Sequence, residues 1–147
     1  MSTRGRIGIE LPDGKIKSIY CHFDSYPDGV GKVLIKYYND IDKINALIDL
    51  GDISSLGEVY DEEVSKGNWK DKKTPLKEDI TYTIAYKDRG EDTPPRIDEN
   101  EQEFLGKLGN CCEEYGYLYK TNFEGKLEWF ITDVPSMRPL NWAISNE

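Results

Sequence analysis

Histidine is nearly missing from this chain: His22 is its single copy in 147 residues. Cysteine is sparse, with Cys21, Cys111 and Cys112, and no C-x-x-C pair. A zinc site of the usual Cys/His type is therefore not expected. An odd count with two neighbours suits a reducing cytoplasm better than a disulfide framework. Cys21 reads as a small core residue. No apolar run approaches the roughly 20 residues of a membrane helix. The start lacks the basic-then-apolar layout of a secretory leader. There is no Gly-x-Ser-x-Gly, no Walker A loop and no dinucleotide fingerprint. With one histidine and no nucleophile–base pairing in view, no catalytic residue, metal ligand or cofactor is expected.

What the chain does have is charge and aromatic side chains. It holds 28 acids against 19 bases, a net of −9, and 12% aromatics including 10 Tyr and 3 Trp. The length suits one domain with a core of its own. Residues 61–114 carry 15 acids and 9 bases, so the acidic excess sits in the middle. Such a balance disfavours direct nucleic-acid or anionic-membrane binding. It suits solubility first, and a surface that mimics DNA only as the lesser reading.

Alternation predicts strands at 4–11 and 16–23, joined through Pro12-Asp13-Gly14-Lys15 as a hairpin. Ile19, Cys21 and Phe23 fall on one face, and Ser18, Tyr20 and His22 on the other. Helical spacing follows from Val30 to Tyr38. A second helix is capped by Asp42, buries Ile44, Leu47 and Ile48, and ends at Gly51. Residues 53–57 read as a compact loop. Residues 61–79, with Trp69, show no period and read as an exposed excursion. A strand at 80–87, an acidic helix at 98–110 and a hairpin of 114–121 with 126–134 complete the chain. Pro135, Pro139 and Trp142 read as an irregular cap. The expectation is a single α+β domain over 1–147. Its sheet is mainly antiparallel, with about five strands (two hairpins plus a middle strand) and two to three helices.

Four groups of residues suit an anionic, aromatic ligand. Arg4, Arg6, Tyr20 and His22 share the face opposite Ile7 and Ile9. Two guanidiniums can fork onto phosphate oxygens, Tyr20 or Tyr26 can stack, and His22 can donate to an anion or exchange a proton. The same residues also suit a solvated face whose arginines pair with Asp24 or Glu10. Asp24 to Lys32 holds Gly29 and Gly31 before a helix, where backbone N–H groups can approach an anion or simply form a turn. Arg89, after the third strand, can complete an anion site or close an ion pair within its own loop. The Tyr115, Tyr117, Tyr119 stripe suits a base-stacking platform or a half-buried sheet face.

Several stretches together resemble a family of small accessory proteins of tailed phages. These are Ser2-Thr3-Arg4, Tyr20-Cys21-His22-Phe23-Asp24, Tyr26-Pro27 and Gly29-Val30-Gly31. Leu50-Gly51-Asp52-Ile53-Ser54-Ser55-Leu56-Gly57 and Asp88-Arg89-Gly90-Glu91 extend the pattern. Two positions depart from it: Gly5 where Ser is common, and Ser25 where Gly is common. The resemblance implies a setting in the bacterial host cytoplasm and a role against host defence. The leading expectation is a protein that binds and sequesters a nucleotide-derived immune signalling molecule without turnover. Its ligand-binding residues would be Arg4, Arg6, Tyr20, His22, Asp24, Tyr26, Gly29, Gly31 and Arg89, in sites that a homo-oligomer can share. One alternative is an acidic inhibitor or DNA mimic that docks on a host defence protein through residues such as Asp61, Glu62 and Glu63, or Glu99, Glu101 and Glu103. Another is an enzyme that degrades the signal, with His22 as acid/base.

Overall fold

A computed structural model describes residues 3–67, 81–110, 113–132 and 138–139. Among them are nine strands in one sheet: β1 Gly5–Glu10, β2 Ile16–Cys21, β3 Ile53–Ser55, β4 Val59–Tyr60, β5 Tyr82–Ala85, β6 Arg96–Asp98, β7 Tyr115–Thr121, β8 Leu127–Thr132 and β9 Arg138–Pro139. The order is β4-β5-β3-β2-β1-β7-β8-β9, and β6 also pairs with β2. Both expected hairpins form, β1 with β2 and β7 with β8. The expected mainly antiparallel sheet of about five strands is overturned, although the α+β class stands. Pairs β1–β7, β2–β3 and β4–β5 are parallel, so the sheet is mixed. Parallel partners lie far apart in sequence and leave no turn signal. Strands of two or three residues are also too short to show alternation.

Four helices are described: α1 Lys32–Tyr37, α2 Ile41–Asp49, α3 Glu62–Ser65 and α4 Glu101–Asn110. A π-helical turn, Pro27–Gly31, leads into α1. None of these helices is long and apolar enough to cross a membrane. The cap of α2 is Asp40, whose carboxylate accepts from the Asp42 N–H at 3.0 Å, rather than Asp42 itself. Ile44, Leu47 and Ile48 form its buried stripe, and Gly51 closes it at φ +79° as the sequence predicts. Residues 53–55, read as loop, are strand β3, whose Ile53 pairs with both Cys21 and Ala85. Trp69, Cys111, Cys112, Pro135, Trp142 and residues 68–79 of the expected excursion lie outside the described residues. Before them, Asp61 caps α3, and Ser65 Oγ accepts the Ala85 N–H at 2.9 Å.

The two sheet faces bury different partners. Ile7, Ile9, Ile19, Cys21, Ile53, Tyr117, Trp129 and Ile131 pack with Leu34, Tyr38, Ile44 and Ile48. Each fully buried aliphatic side chain there contributes about 1.5–3 kcal/mol. On the other face, Ile16 and Leu118 pack with Phe104 and Leu108 of α4. Burial pushes the Cys21 thiol up to about 12, the behaviour of a core cysteine. The Tyr117 and Tyr119 side chains are buried, so the tyrosine stripe is core rather than a stacking platform. The Tyr117 hydroxyl donates to Ser25 O at 2.6 Å and ties the 24–31 loop to the sheet. Phe23 departs from its predicted core face and is 44% exposed. Strand β2 ends at Cys21, and the N–H groups of His22 and Phe23 turn to Ile53 O and Ser54 O.

Gly5 and Ser25, the two departures from the resembled pattern, touch. A Cβ on Gly5 would lie 2.6 Å from Ser25 Cβ and 2.9 Å from Tyr115 O. Gly5→Ser alone should therefore cost about 1–3 kcal/mol through overpacking. Adding Ser25→Gly should recover part of that loss, the Tyr115 carbonyl limiting the rest. Urea unfolding of both single variants and the double variant measures the coupling. Strict additivity would remove the contact argument.

Candidate functional site

Strand register assembles the site. Arg6 pairs with Tyr20 across β1–β2 and with Gly116 across β1–β7. Asp52 and Tyr86 adjoin Ile53 and Ala85, which are paired with each other on the core face. Both lie just beyond the strand ends, Tyr86 opening a 3-10 turn, and both sit close to Tyr20. The Tyr20 N–H donates to Asp52 Oδ1 at 2.8 Å, and the Tyr86 N–H donates to Asp52 O at 3.2 Å. Asp52 and Tyr86 thus extend, beyond the strand ends, the row in which Tyr20, Arg6 and Gly116 pair across the sheet. His22 and Arg4 belong to the next row. Helix α4 covers the Gly116 end, where a Cβ would lie 2.7 Å from a Leu108 methyl. Tyr20, His22, Asp52 and Tyr86 remain partly exposed.

The exposed end is aromatic and cationic. The Tyr20 hydroxyl and His22 Nδ1 are hydrogen-bonded at 2.7 Å, and the His22 ring meets Phe23 edge-on. Burial raises the Tyr20 pKa, while the nearby Arg4 charge pulls against it and Tyr86 adds to it. The Arg89 guanidinium lies 5.7 Å from the centre of the Tyr86 ring, within cation–π range. The covered end holds a buried charge layer. Arg6, 7% exposed, donates from Nε to Ser18 Oγ at 2.7 Å and from Nη1 to Glu113 Oε2 at 3.0 Å. Asp98, fully buried, accepts from Arg96 and from Lys107, both at 2.9 Å.

No protein-family model matches the chain, and neither a curated protein nor a solved structure matches it. The functional argument therefore rests on the residues themselves. Of the residues the sequence nominated, Arg4, Tyr20, His22 and Arg89 come together at the open end. Arg6 shares their face but lies beneath the surface with its guanidinium committed. Asp24 and Gly29 border a separate open recess of about 200 Å³ beside α1, with Phe23, Lys32, Val33 and Leu56. Tyr26 is exposed and packs its ring against Gly29. The Gly29 N–H is taken by Tyr26 O at 2.9 Å, and Gly31 is buried in the π-helical turn. Asp24 adopts φ +59°, which Asp tolerates better than most residues, and its carbonyl accepts the Val30 N–H.

The residues the sequence did not nominate are Asp52, Tyr86, Arg96 and Glu113. Tyr86 carried a signal, because it ends the alternating stretch from Tyr82. Asp52 reaches Tyr20 through a parallel pairing and carried none. Among the described residues, no group of three or more His, Cys, Asp or Glu side chains converges as metal ligands do.

The buried acids give the fold opposing pH dependences. Burial raises Glu113 above its ordinary range, against the pull of Arg6. Burial also raises Asp52, against the Tyr20 N–H, Arg6 and Arg96. Burial pushes Asp98 up as well, but its bonds to Lys107 and Arg96 outweigh that and hold it low. For Glu113 the native state binds more protons than the unfolded chain between its ordinary pKa, about 4.3, and its raised one. Its contribution therefore falls as pH rises through that window. The Asp98 contribution is present above the ordinary carboxylate range and is lost as pH falls through its lowered pKa. Glu113→Gln should flatten the decline of stability with rising pH. Asp98→Ala should cost about 1.5–3 kcal/mol at pH 7, because it removes the charge-assisted hydrogen bonds that Arg96 and Lys107, both partly exposed, make to a buried carboxylate. Urea midpoints of each variant from pH 4 to 8 test both signs.

Proposed function

We propose that this chain is a phage accessory protein of the bacterial host cytoplasm that binds a small nucleotide-derived immune signal and withholds it without chemical change. One observation carries the reading: Arg4, His22, Tyr86 and Arg89 gather around Tyr20 at the sheet end that, among the described residues, no helix covers. Arg4 and Arg89 hold phosphate oxygens by charge-assisted hydrogen bonds. Tyr20 and Tyr86 offer ring faces to a base, and His22, anchored through Nδ1 by the Tyr20 hydroxyl, presents Nε2 to the ligand. Arg6 acts from below by fixing the strand under Tyr20. The phage setting comes from the resemblance of the first 57 residues and the Asp88–Glu91 loop.

The acidic-inhibitor alternative draws less support from the fold. Asp61 is spent capping α3. Glu62 pairs with Lys66, Glu101 with Lys120 and Glu103 with Lys107.

Thermal unfolding against cyclic nucleotides, cyclic dinucleotides and ADP-ribose derivatives tests the proposal. A ligand at 100 times its Kd stabilises by about 2.7 kcal/mol. It should be recovered intact after heat denaturation. Arg4→Ala and Arg89→Ala should each weaken binding by about tenfold, and Tyr20→Ala by about 1–3 kcal/mol. Absence of any shift across the panel would end the reading, and recovery of altered ligand would replace it with the degrading enzyme.

A further inference from the structure

We infer that Asp52 is the residue that reads the ligand, accepting a hydrogen bond from a donor on its neutral part, either an exocyclic amine of a base or a ribose hydroxyl. The inference rests on the nucleotide-binding reading above and adds a group with a different task.

Asp52 is fixed from inside the fold on three sides. Its N–H donates to Thr93 O at 2.9 Å, its carbonyl accepts the Tyr86 N–H, and Oδ1 accepts the Tyr20 N–H. Gly51 before it has no room for a side chain, since a Cβ there would lie 2.1 Å from Thr93 O. The carboxylate position is thus set before any ligand arrives. Among the described residues, Oδ2 has no partner. The buried unpaired side-chain oxygens are Thr93 Oγ1 and Glu113 Oε1, so Asp52 Oδ2 keeps access to solvent.

A free carboxylate oxygen between Tyr20 and Tyr86 repels phosphate and rewards a donor. The division of labour follows: anionic groups go to Arg4 and Arg89, and the neutral edge of a stacked base or its sugar goes to Asp52. Arg6 and Arg96 lie near enough to favour the ionised, accepting form, against burial. Binding should therefore weaken on the acid side at a higher pH than an ordinary carboxylate would set.

The test is Asp52→Asn in the full chain. Asparagine keeps an Oδ1 for the Tyr20 N–H and replaces the free acceptor with a donor. The probes are cyclic di-AMP and ADP-ribose, each with its inosine analogue, which lacks the amine, and its 2′-deoxy analogue. The expected result is a midpoint without ligand no lower than that of the wild type and at least tenfold weaker binding of a probe. That loss should vanish for the analogue missing the donor that Asp52 accepts, and this identifies amine or hydroxyl. Binding by Asp52→Asn within twofold of wild type, with Arg4→Ala still impaired, would overturn the inference and leave the proposed function standing. If no probe binds the wild type, both fall. Should Asp52→Asn lose stability, the wild type decides alone: equal affinity for a probe and both its analogues overturns the role of Asp52.

Discussion

The parallel pairing of β1 with β7 is the contact on which the other arrangements depend. It joins two hairpins, each marginal alone, into one sheet. It also buries β1 on both faces, since β7 and β2 flank it while helices pack above and below. A parallel pair demands a long crossover, and the last part of that crossover is α4. Helix α4 must return across the face opposite α1 and α2, and Gly116 lets it approach the sheet. Glu113, just before β7, is thereby delivered beside Arg6. The Glu114 N–H donates to Arg4 O at 2.8 Å and extends the same pairing by one step.

That geometry explains the buried ion pair of Arg6 with Glu113. Arg6 cannot reach solvent once α4 has packed, so it needs an anion and an acceptor nearby; Glu113 and Ser18 supply them. Desolvating both partners makes such a pair a weak source of net stability. Its effect is on position. A rotated Arg6 would lose three hydrogen bonds, so β1 and β2 are held in the register that puts Tyr20 and His22 on the open face. A one-residue slip would send both into the helical core.

Much of this was legible in the residues. Period-two patterns placed both hairpins, the face shared by Arg6, Tyr20 and His22, and the opposing Ile7, Ile9 and Cys21. Helical spacing found the buried stripe of α2, and Gly51 marked its end. What escaped were parallel pairings, which have no local signature. Asp52 is 32 residues from Tyr20 and meets it only because β3 docks on β2. The division of the nominated site has a similar cause. Asp24 and Gly29 follow His22 closely in sequence, yet the chain leaves the sheet after Cys21, and the recess they border opens beside α1. Proximity along the chain could not show that the loop and the sheet row serve different surfaces.

The net charge of −9 is no obstacle to an anionic ligand at the open row. At physiological salt, exposed charges more than roughly 8 Å away are largely screened. Local groups therefore set the field. Beneath the row, Glu113 is paired with Arg6, so this buried pair adds little net charge. Arg4 and Arg89, exposed on either side of the tyrosines, then dominate what an approaching phosphate meets. The one unpaired acid in the row, Asp52, sits between the tyrosines rather than beside the arginines. A ligand anionic throughout would be repelled there, whereas one with charged and neutral donor ends satisfies both. On the proposed reading, the arrangement would select for a molecule whose phosphate and donor groups are separated by an aromatic ring or a sugar.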